Sequence, residues 1–534
     1  MRRSSGNISG RLPQRLNEIN LKPDPKMKTL WQKKSDKNDS GTQDGSRTGH
    51  RSKAGDQSET GHHAEAGHKA EAGLPSGSGA GHGEAAGVDR TWFYRFTAEQ
   101  DRELDRQLVP YDILVNLAQA QMLLKIGVYD QDGFDQVTSA LTEAWSKWTD
   151  GAFDLGPDDE DVHSAVEKYL TDKAGQDGAR IHTGRSRNDQ VLADMRLFMK
   201  DSVLDIASEW IAIAGRLDSL ADKYNGVCFA GLTHTQPAMP HSADAWAAGY
   251  YDLLCSDLDA LRRAFELIDQ SPLGSAAGYG VPHIAIDREF IAEILGFSRV
   301  QEPVAASQLS RSRFEMQLVD ALAYGALTFN RIASDVVLFM HPSLALMTLS
   351  EDQVSGSSIM PQKRNPDAWE LIRGAYHDLQ SARTHLAAVP ANLTSGYHRD
   401  LQVVKKSVMA ALEQSKTLAV AVRHALEGLG FDAAAAARTL TPEVFATHEA
   451  NRLVSEGMPF REAYRIVAES IAGASEKKAD PGQPGQKAYR HSGAPGSGLP
   501  GYLRKEAREL QRWAEAKKKV SEKMKNNLLG ARDQ

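Results

Sequence analysis

The sequence is poor in cysteine and has no apolar run of membrane length. Among its 534 residues only Cys228 and Cys255 are cysteines, and both lie in apolar surroundings. Two thiols in so long a chain argue against a disulfide framework and favour a reducing compartment, so we expect a cytoplasmic protein. No stretch approaches the roughly 18 apolar residues of a membrane span. We therefore expect no association with membranes.

An excess of positive charge is also missing. The 63 Lys and Arg residues are outnumbered by 70 Asp and Glu residues, which gives a net charge of −7. Proteins that bind nucleic acids usually present clustered basic residues, so the charge balance gives no support to a nucleic-acid partner. The length allows two or three domains around a sizeable core.

Large apolar residues are nearly absent from residues 35–88, where Leu74 and Val88 are the only two. Gly, Ala, Ser, His and charged residues fill this tract, so it cannot bury enough surface to offset its ordering entropy. We predict that residues 1–90 are a disordered N-terminal tail with a low-complexity insertion. The Arg- and Ser-rich start leaves a transit peptide open as the alternative.

Proline is missing from long stretches of the remaining chain, at 188–236, 241–271 and 304–341. Within the first stretch, apolar residues recur at three- and four-residue steps from Ile206 to Leu220, and the other two show the same spacing. Such spacing predicts long bundle helices, and no alternating β pattern is visible. We predict an all-α fold that self-associates to cover its apolar faces.

The segment GSSIMPQKRNP (356–366) lies between two predicted helices and is rich in polar groups. Its Lys363 and Asn365 supply an ammonium and an amide, and a helix pattern begins just after it. These groups suit a carboxylate or a developing oxyanion. They also provide what Ser357 needs to act as a base. An ordinary polar loop with a helix cap is the alternative.

Three further loops carry unusual polar residues: GRSRNDQ (184–190), GLTHTQP (231–237) and SPLGSAAG (271–278). An arginine pair such as that in the first loop recognises carboxylates, although a capped helix with Asp189 in its first turn explains the loop equally well. His234 in the second loop can donate or relay a proton near neutral pH, or be structural. Glu370, in the helix after the serine loop, is a candidate to orient this histidine.

Taken together, these motifs resemble the fumarase/aspartase superfamily, whose members share Gly-Ser-Ser-x-Met-Pro-x-Lys-x-Asn. The similarity is to the argininosuccinate lyase family within it, and covers the chain from about Arg90 to the end. The motifs that carry it are TGRSRNDQ (183–190), LTHTQPA (232–238), PLGSAAG (272–278), MPQKRNPD (360–367), YHRDLQVVK (397–405) and GMPFREAY (457–464).

The resemblance implies a lyase of arginine biosynthesis that splits argininosuccinate into arginine and fumarate by β-elimination, with no cofactor and no metal. It implies Ser357 as the base, Lys363 as a holder of the aci-carboxylate, and His234, steadied by Glu370, as the group serving the departing nitrogen. The substrate-binding positions that it implies are Asp105, Arg187, Asn188, Thr233, Asn365, Tyr397, Gln402 and Lys405.

The resemblance also implies a three-domain architecture. Its long central helices would form a 20-helix bundle in a homotetramer, with each active site shared between subunits. The domain bounds that we predict are 91–187 for an N-terminal helical domain, 188–440 for the long-helix domain and 441–534 for a C-terminal helical domain.

The chain departs from the family pattern at two places. The motif Ser-x-x-x-Asp-Arg-x-Leu is present with Asp101 in place of its serine, which normally contacts substrate, and the segment VHSAVEK (162–168) differs from the usual Ala-Asn-Glu-Arg. One alternative is a sister lyase, such as adenylosuccinate lyase or fumarase, but these enzymes usually have His or Gly at the position that Gln362 occupies in this chain. The second alternative is a non-enzymatic relative, such as the lens protein built on this fold. The four catalytic side chains named above argue against it.

Overall fold

The structure is a computed structural model. It describes the chain from residue 92 to residue 530 with gaps at 94, 158, 474–488 and 490. The tail and insertion predicted at 1–90 lie outside the described residues. The described residues form fifteen α-helices: α1 (Gln100–Asp105), α2 (Val109–Lys125), α3 (Gln131–Thr149), α4 (Val162–Ala179), α5 (Arg187–Lys223), α6 (Ala243–Ile268), α7 (Arg288–Ile294), α8 (Val304–Leu309), α9 (Arg313–Phe339), α10 (Asp367–Ala388), α11 (Val403–Glu427), α12 (Ala433–Thr439), α13 (Ala446–Ser455), α14 (Phe460–Gly473) and α15 (Gly501–Leu528).

The long helices α5, α6, α9, α10 and α11 pack side by side as the centre of the fold. Trp210 of α5 is buried, and its ring meets Phe329 of α9 edge to face at 5.8 Å between ring centroids. Gly325 lets the two helices come this close, because a Cβ there would lie 2.2 Å from the Trp210 ring. The three- and four-residue apolar spacing therefore predicted these helices correctly, and the all-α fold class is confirmed.

Six short strands pair into three two-stranded sheets, which the sequence analysis did not anticipate: β1 (Cys228–Thr233) with β2 (Gln236–Ser242), β3 (Gln270–Ser271) with β4 (Arg299–Val300), and β5 (Met347–Leu349) with β6 (Leu429–Phe431). The β1–β2 hairpin is antiparallel and its register shifts between Ala230 and Leu232. Two prolines within β2, Pro237 and Pro240, and this irregularity remove the alternating pattern by which a strand is recognised.

The C-terminal part of the chain packs in two ways. Helix α15 lies against α5 and α6, and its Leu503 and Leu510 are buried in the main core. Around α13 and α14, a small separate core contains Ala450, Ala463 and Val467. The domain bounds predicted from the sequence stay predictions. In the described part of the chain, no helix combines the length and apolar character that a membrane crossing requires.

The start of α5 is fixed by a capping box. The Ser186 hydroxyl accepts a hydrogen bond from the Asn188 backbone amide at 3.2 Å, and Asp189 Oδ1 accepts one from the Ser186 backbone amide at 2.9 Å. Asp189 Oδ2 also accepts the amides of Gly274 and Ala276, at 3.1 and 2.8 Å. The buried Asp189 carboxylate therefore ties the loop at 271–278 to the first turn of α5, in addition to capping the helix.

Candidate active site

A cleft of about 220 Å³ opens where α1, the start of α4, α5 and the start of α11 meet. Six of the eight predicted substrate-binding residues line it: Asp105, Arg187, Asn188, Tyr397, Gln402 and Lys405. The other two do not line it: Thr233 is the last residue of β1, and Asn365 lies at the base of the serine loop. One chain thus assembles most of the predicted binding set from segments that are about 300 residues apart in sequence, as the hydrogen bond between Lys405 and Asp105 shows.

Lys405 lies at the floor of this cleft between two carboxylates. Its Nζ is 2.5 Å from Asp105 Oδ1 and 2.9 Å from Asp101 Oδ1. Burial lowers the pKa of Lys405, but the two carboxylates outweigh it and raise the pKa above its usual value. Asp105 is fully buried and also accepts the Val162 amide at 3.1 Å. Asp101, the residue that departs from the family pattern, is therefore a partner of Lys405 and the more exposed of the two carboxylates.

Arg187, Asn188 and the segment before α11 also line the cleft. Arg187 forms an ion pair with Asp161 and a second with Glu167 at 3.3 Å. The amide of the Gln402 side chain donates to the Thr97 carbonyl at 2.8 Å, which ties the start of α11 to the turn before α1. These contacts fix the positions of the side chains that line the cleft.

His163 is a buried charged residue of the cleft that the sequence analysis did not select. Its Nδ1 is 2.7 Å from Asp112 Oδ1 and 3.6 Å from Asp194 Oδ2. Burial lowers the pKa of His163, but the carboxylates of Asp112 and Asp194 outweigh this effect and raise it to about 9. The ligand atoms of the three residues lie within 4.8 Å of one another, the spacing of a metal site. A metal ion would have to displace the proton of the His163 imidazole to bind there, and without one the three residues form an ion-paired network.

The predicted acid-side residue lies at the tip of the β1–β2 hairpin. His234 and Thr235 form its two-residue loop, and both have positive φ, of 53° and 60°. A β-branched residue is rarely found there, and such strain costs about 1–3 kcal/mol. The structure thus presents His234 on a strained and exposed turn. Strained turns of this kind concentrate at functional sites.

The predicted serine loop is closed at its base by a β-bridge between Ser355 and Asn365. Within it, the Ser357 hydroxyl accepts the amides of Ile359 and Met360, at 3.4 and 3.2 Å. Amide donors directed at a hydroxyl oxygen stabilise negative charge on it. Lys363 is exposed near the end of the same loop. The loop therefore holds the serine oxygen and a cation on one short hairpin-like segment.

The three groups of predicted residues are not joined by direct polar contacts among the described residues. No hydrogen bond or ion pair of the described residues joins His234 to Ser357, Lys363 or Glu370. Glu370 lies exposed in the first turn of α10. The cleft residues form a third group. The active site shared between subunits stays a prediction.

Arg311 is a cleft residue that sequence reasoning overlooked, although a signal was present. The order Arg-Ser-Arg occurs at 185–187 and again at 311–313, each time before a long helix whose N-cap is the serine. Arg185 of the first copy is buried and bonds Asn116 at 2.8 Å, whereas Arg311 of the second copy lines the cleft. The repeated pattern could have directed attention to Arg311.

The fold and its loop positions define a member of the lyase superfamily. Residues 93–380 match the family described as lyase. A variant of EDDS lyase with bound fumarate has a similar fold, with a TM-score of 0.69 at 20% identity over 80% of this chain and 91% of that one.

The match is more specific at the level of sequence. Residues 443–492 match the family described as argininosuccinate lyase C-terminal. Argininosuccinate lyase of Thermotoga neapolitana is 40% identical over 70% of this chain and 94% of its own length. That of Sorangium cellulosum is 40% identical over 72% and 89%. The chain belongs to the argininosuccinate lyase family, and it is an enzyme of the lyase class.

Proposed function

We propose that this chain splits argininosuccinate into arginine and fumarate by β-elimination. Family membership supports the reaction, and the serine loop is the observation that carries the mechanism. Its hydroxyl oxygen receives two backbone amides, and Lys363 lies six residues further along the same closed loop. The amides stabilise negative charge on the serine oxygen that acts as the base, and Lys363 supplies a positive charge for an oxyanion next to it.

In the proposed first step, Ser357 Oγ removes a proton from the carbon beside a carboxylate of the succinyl half. Charge then moves onto that carboxylate, which becomes an aci-carboxylate held by the Lys363 ammonium and the Asn365 amide. Preorganised donors of this kind lower the barrier because they need no reorganisation as charge develops, and each contributes about 2.7–4 kcal/mol.

In the second step, the bond between carbon and the guanidinium nitrogen breaks and the double bond of fumarate forms. The departing nitrogen takes a proton on the side served by His234, which Glu370 would steady once the two residues are brought together. A histidine suits this role because its usual pKa lies near neutral pH. The proton that Ser357 received leaves to solvent, which restores the base for another turnover.

The test is the release of fumarate, followed by its absorbance, from purified protein and argininosuccinate. Ser357→Ala should lower kcat about a hundredfold or more, because a general base contributes roughly 10²–10⁴ in rate. Ser358→Ala is the matched control, since it removes the neighbouring hydroxyl and leaves the amide contacts of Ser357. Retention of more than about a tenth of kcat in Ser357→Ala, judged against the control, would exclude Ser357 as the base.

The same assay separates the proposal from its alternatives. A sister lyase would release fumarate from adenylosuccinate, or from malate as fumarase does, and leave argininosuccinate intact. A non-enzymatic relative would act on none of the three substrates.

A further inference from the structure

Arg311 differs from the other cations of the cleft in having no carboxylate partner. Arg187, Arg399, Lys405 and His163 each form an ion pair with an aspartate or glutamate. No ion pair of Arg311 exists in the part of the chain that the structure describes. Burial lowers the pKa of Arg311, and the nearby carboxylates of Glu315 and Asp189 oppose this effect without forming an ion pair with it. Arginine keeps its charge in proteins, so a carboxylate that binds the guanidinium directly would be favoured.

The contacts of Arg311 hold its guanidinium in place but leave part of it unused. Nε donates to Gln308 Oε1 at 2.8 Å and Nη2 donates to the Asn188 carbonyl at 2.7 Å. The guanidinium carbon lies 4.8 Å from the centre of the Tyr397 ring. Nη1 makes no hydrogen bond to any described residue. The group is thus fixed between two predicted substrate-binding residues, Asn188 and Tyr397, with donors to spare.

The charge of the cleft floor is opposite in sign. Lys405 lies between Asp101 and Asp105, so two carboxylates and one ammonium leave this trio with a net charge of −1. The excess negative charge of this trio suits the ammonium of an α-amino acid, and the Arg311 guanidinium in the same cleft suits its carboxylate. The succinyl half of the proposed substrate carries carboxylates alone beside its reacting carbons, and the floor would repel it.

We propose that Arg311 binds the α-carboxylate of the amino-acid half of the substrate and so selects for an amine that carries this group. The inference rests on the proposed function and adds a specificity residue to it. The planar fork of Arg311 suits a carboxylate, and its contacts to Asn188 and Tyr397 already hold it in position.

The experiment compares two ligands and two proteins by calorimetric titration of the full-length chain. Arginine carries the α-carboxylate, and agmatine is the same molecule without it. We expect the wild-type protein to bind arginine about tenfold or more tightly than agmatine. Arg311→Gln should weaken arginine binding by about tenfold to a hundredfold, as expected for a lost hydrogen-bonded charge pair, and leave agmatine binding nearly unchanged.

Arg313→Gln is the matched control, since it removes an exposed arginine two residues away that does not line the cleft. Arg311→Lys should weaken arginine binding to an intermediate extent, because lysine keeps the positive charge but lacks the planar guanidinium that can donate two hydrogen bonds to a carboxylate. A purely structural role would weaken both ligands in the same proportion in Arg311→Gln, and this result would overturn the inference. So would a wild-type protein that binds the two ligands equally, which requires no variant to fold.

Fumarate release by the wild-type protein distinguishes a failure of the Arg311 assignment from a failure of the proposed function. If argininosuccinate is cleaved and the ligand preference is absent, the assignment of Arg311 fails and the proposed function stands. If argininosuccinate is not cleaved, the proposed function fails, and the inference about its amino-acid half fails with it.

Discussion

The charge on His163 should make the stability of the protein fall as the solution becomes alkaline. In the folded chain the pKa of His163 is raised to about 9, against an ordinary value of 6.5. Between these values the folded state holds a proton that the unfolded state has lost. The stabilising contribution is therefore complete below about pH 6.5 and disappears as the pH rises through 9.

The size of this effect follows from the shift. A difference of about 2.5 pKa units, at about 1.36 kcal/mol each, corresponds to a contribution on the order of 3 kcal/mol. The contribution belongs to the contacts of His163 with Asp112 and Asp194, and not to the imidazole alone. His163→Gln should abolish most of the pH dependence between pH 6.5 and 9, whatever its effect on stability at one pH.

The assay is denaturant unfolding at several pH values, at one fixed protein concentration because subunit association adds to apparent stability. His182→Gln is the matched control, since His182 pairs with Glu167 at 2.8 Å but its side chain is 42% exposed. The control should follow the wild-type curve. Parallel pH curves for wild type and His163→Gln would refute the reasoning, because they would show that His163 titrates alike in both states.

Two further predictions concern assembly and the cleft floor. Mixing inactive His234→Asn and Lys363→Ala chains should restore partial activity on reassembly, because a site shared between subunits can take its intact loops from different chains. A monomeric mass by light scattering, or no activity at any mixing ratio, would count against a shared site. Asp101→Asn should weaken arginine and agmatine binding alike, by about tenfold, because both carry the ammonium group that the proposal about Arg311 places beside Asp101 and Asp105. An analogue of arginine without the α-amino group, 5-guanidinopentanoic acid, is the control ligand, and a similar loss for it would contradict this role.

Local sequence signals predicted the features of the fold that depend on neighbouring residues. Apolar spacing located the long helices, and a capped helix with Asp189 in its first turn, one of the two interpretations of GRSRNDQ, is what the structure shows at the start of α5. The hairpin at 228–242 escaped detection because Pro237 and Pro240 lie within its second strand. The tight turn at His234 and Thr235 was hidden as well, because it lacks the Asn or Gly that usually adopts positive φ there.

The cleft was harder to predict because it depends on contacts between distant parts of the chain. The motif resemblance supplied six of its residues, but not the pairing of Asp101 with Lys405 across about 300 positions. It also missed Arg311, which lines the cleft and forms no ion pair with a described residue. Whether a charged residue is paired or free is a property of the folded chain, and its sequence neighbours do not determine it.

The parts of the chain that carry the proposed chemistry contribute little to its core. Ile359 in the serine loop is 82% exposed and Leu371, next to Glu370, is 75% exposed. Exposed apolar side chains of this size gain by being covered, and here they flank the proposed base and its neighbours. Substitutions of the serine loop should therefore change catalysis and assembly far more than the stability of a single chain. Substitutions of Asp105, His163 or Lys405 should instead lower the stability of a single chain strongly. These residues are buried in ion pairs that hold the fold together and also line the cleft or lie beneath it.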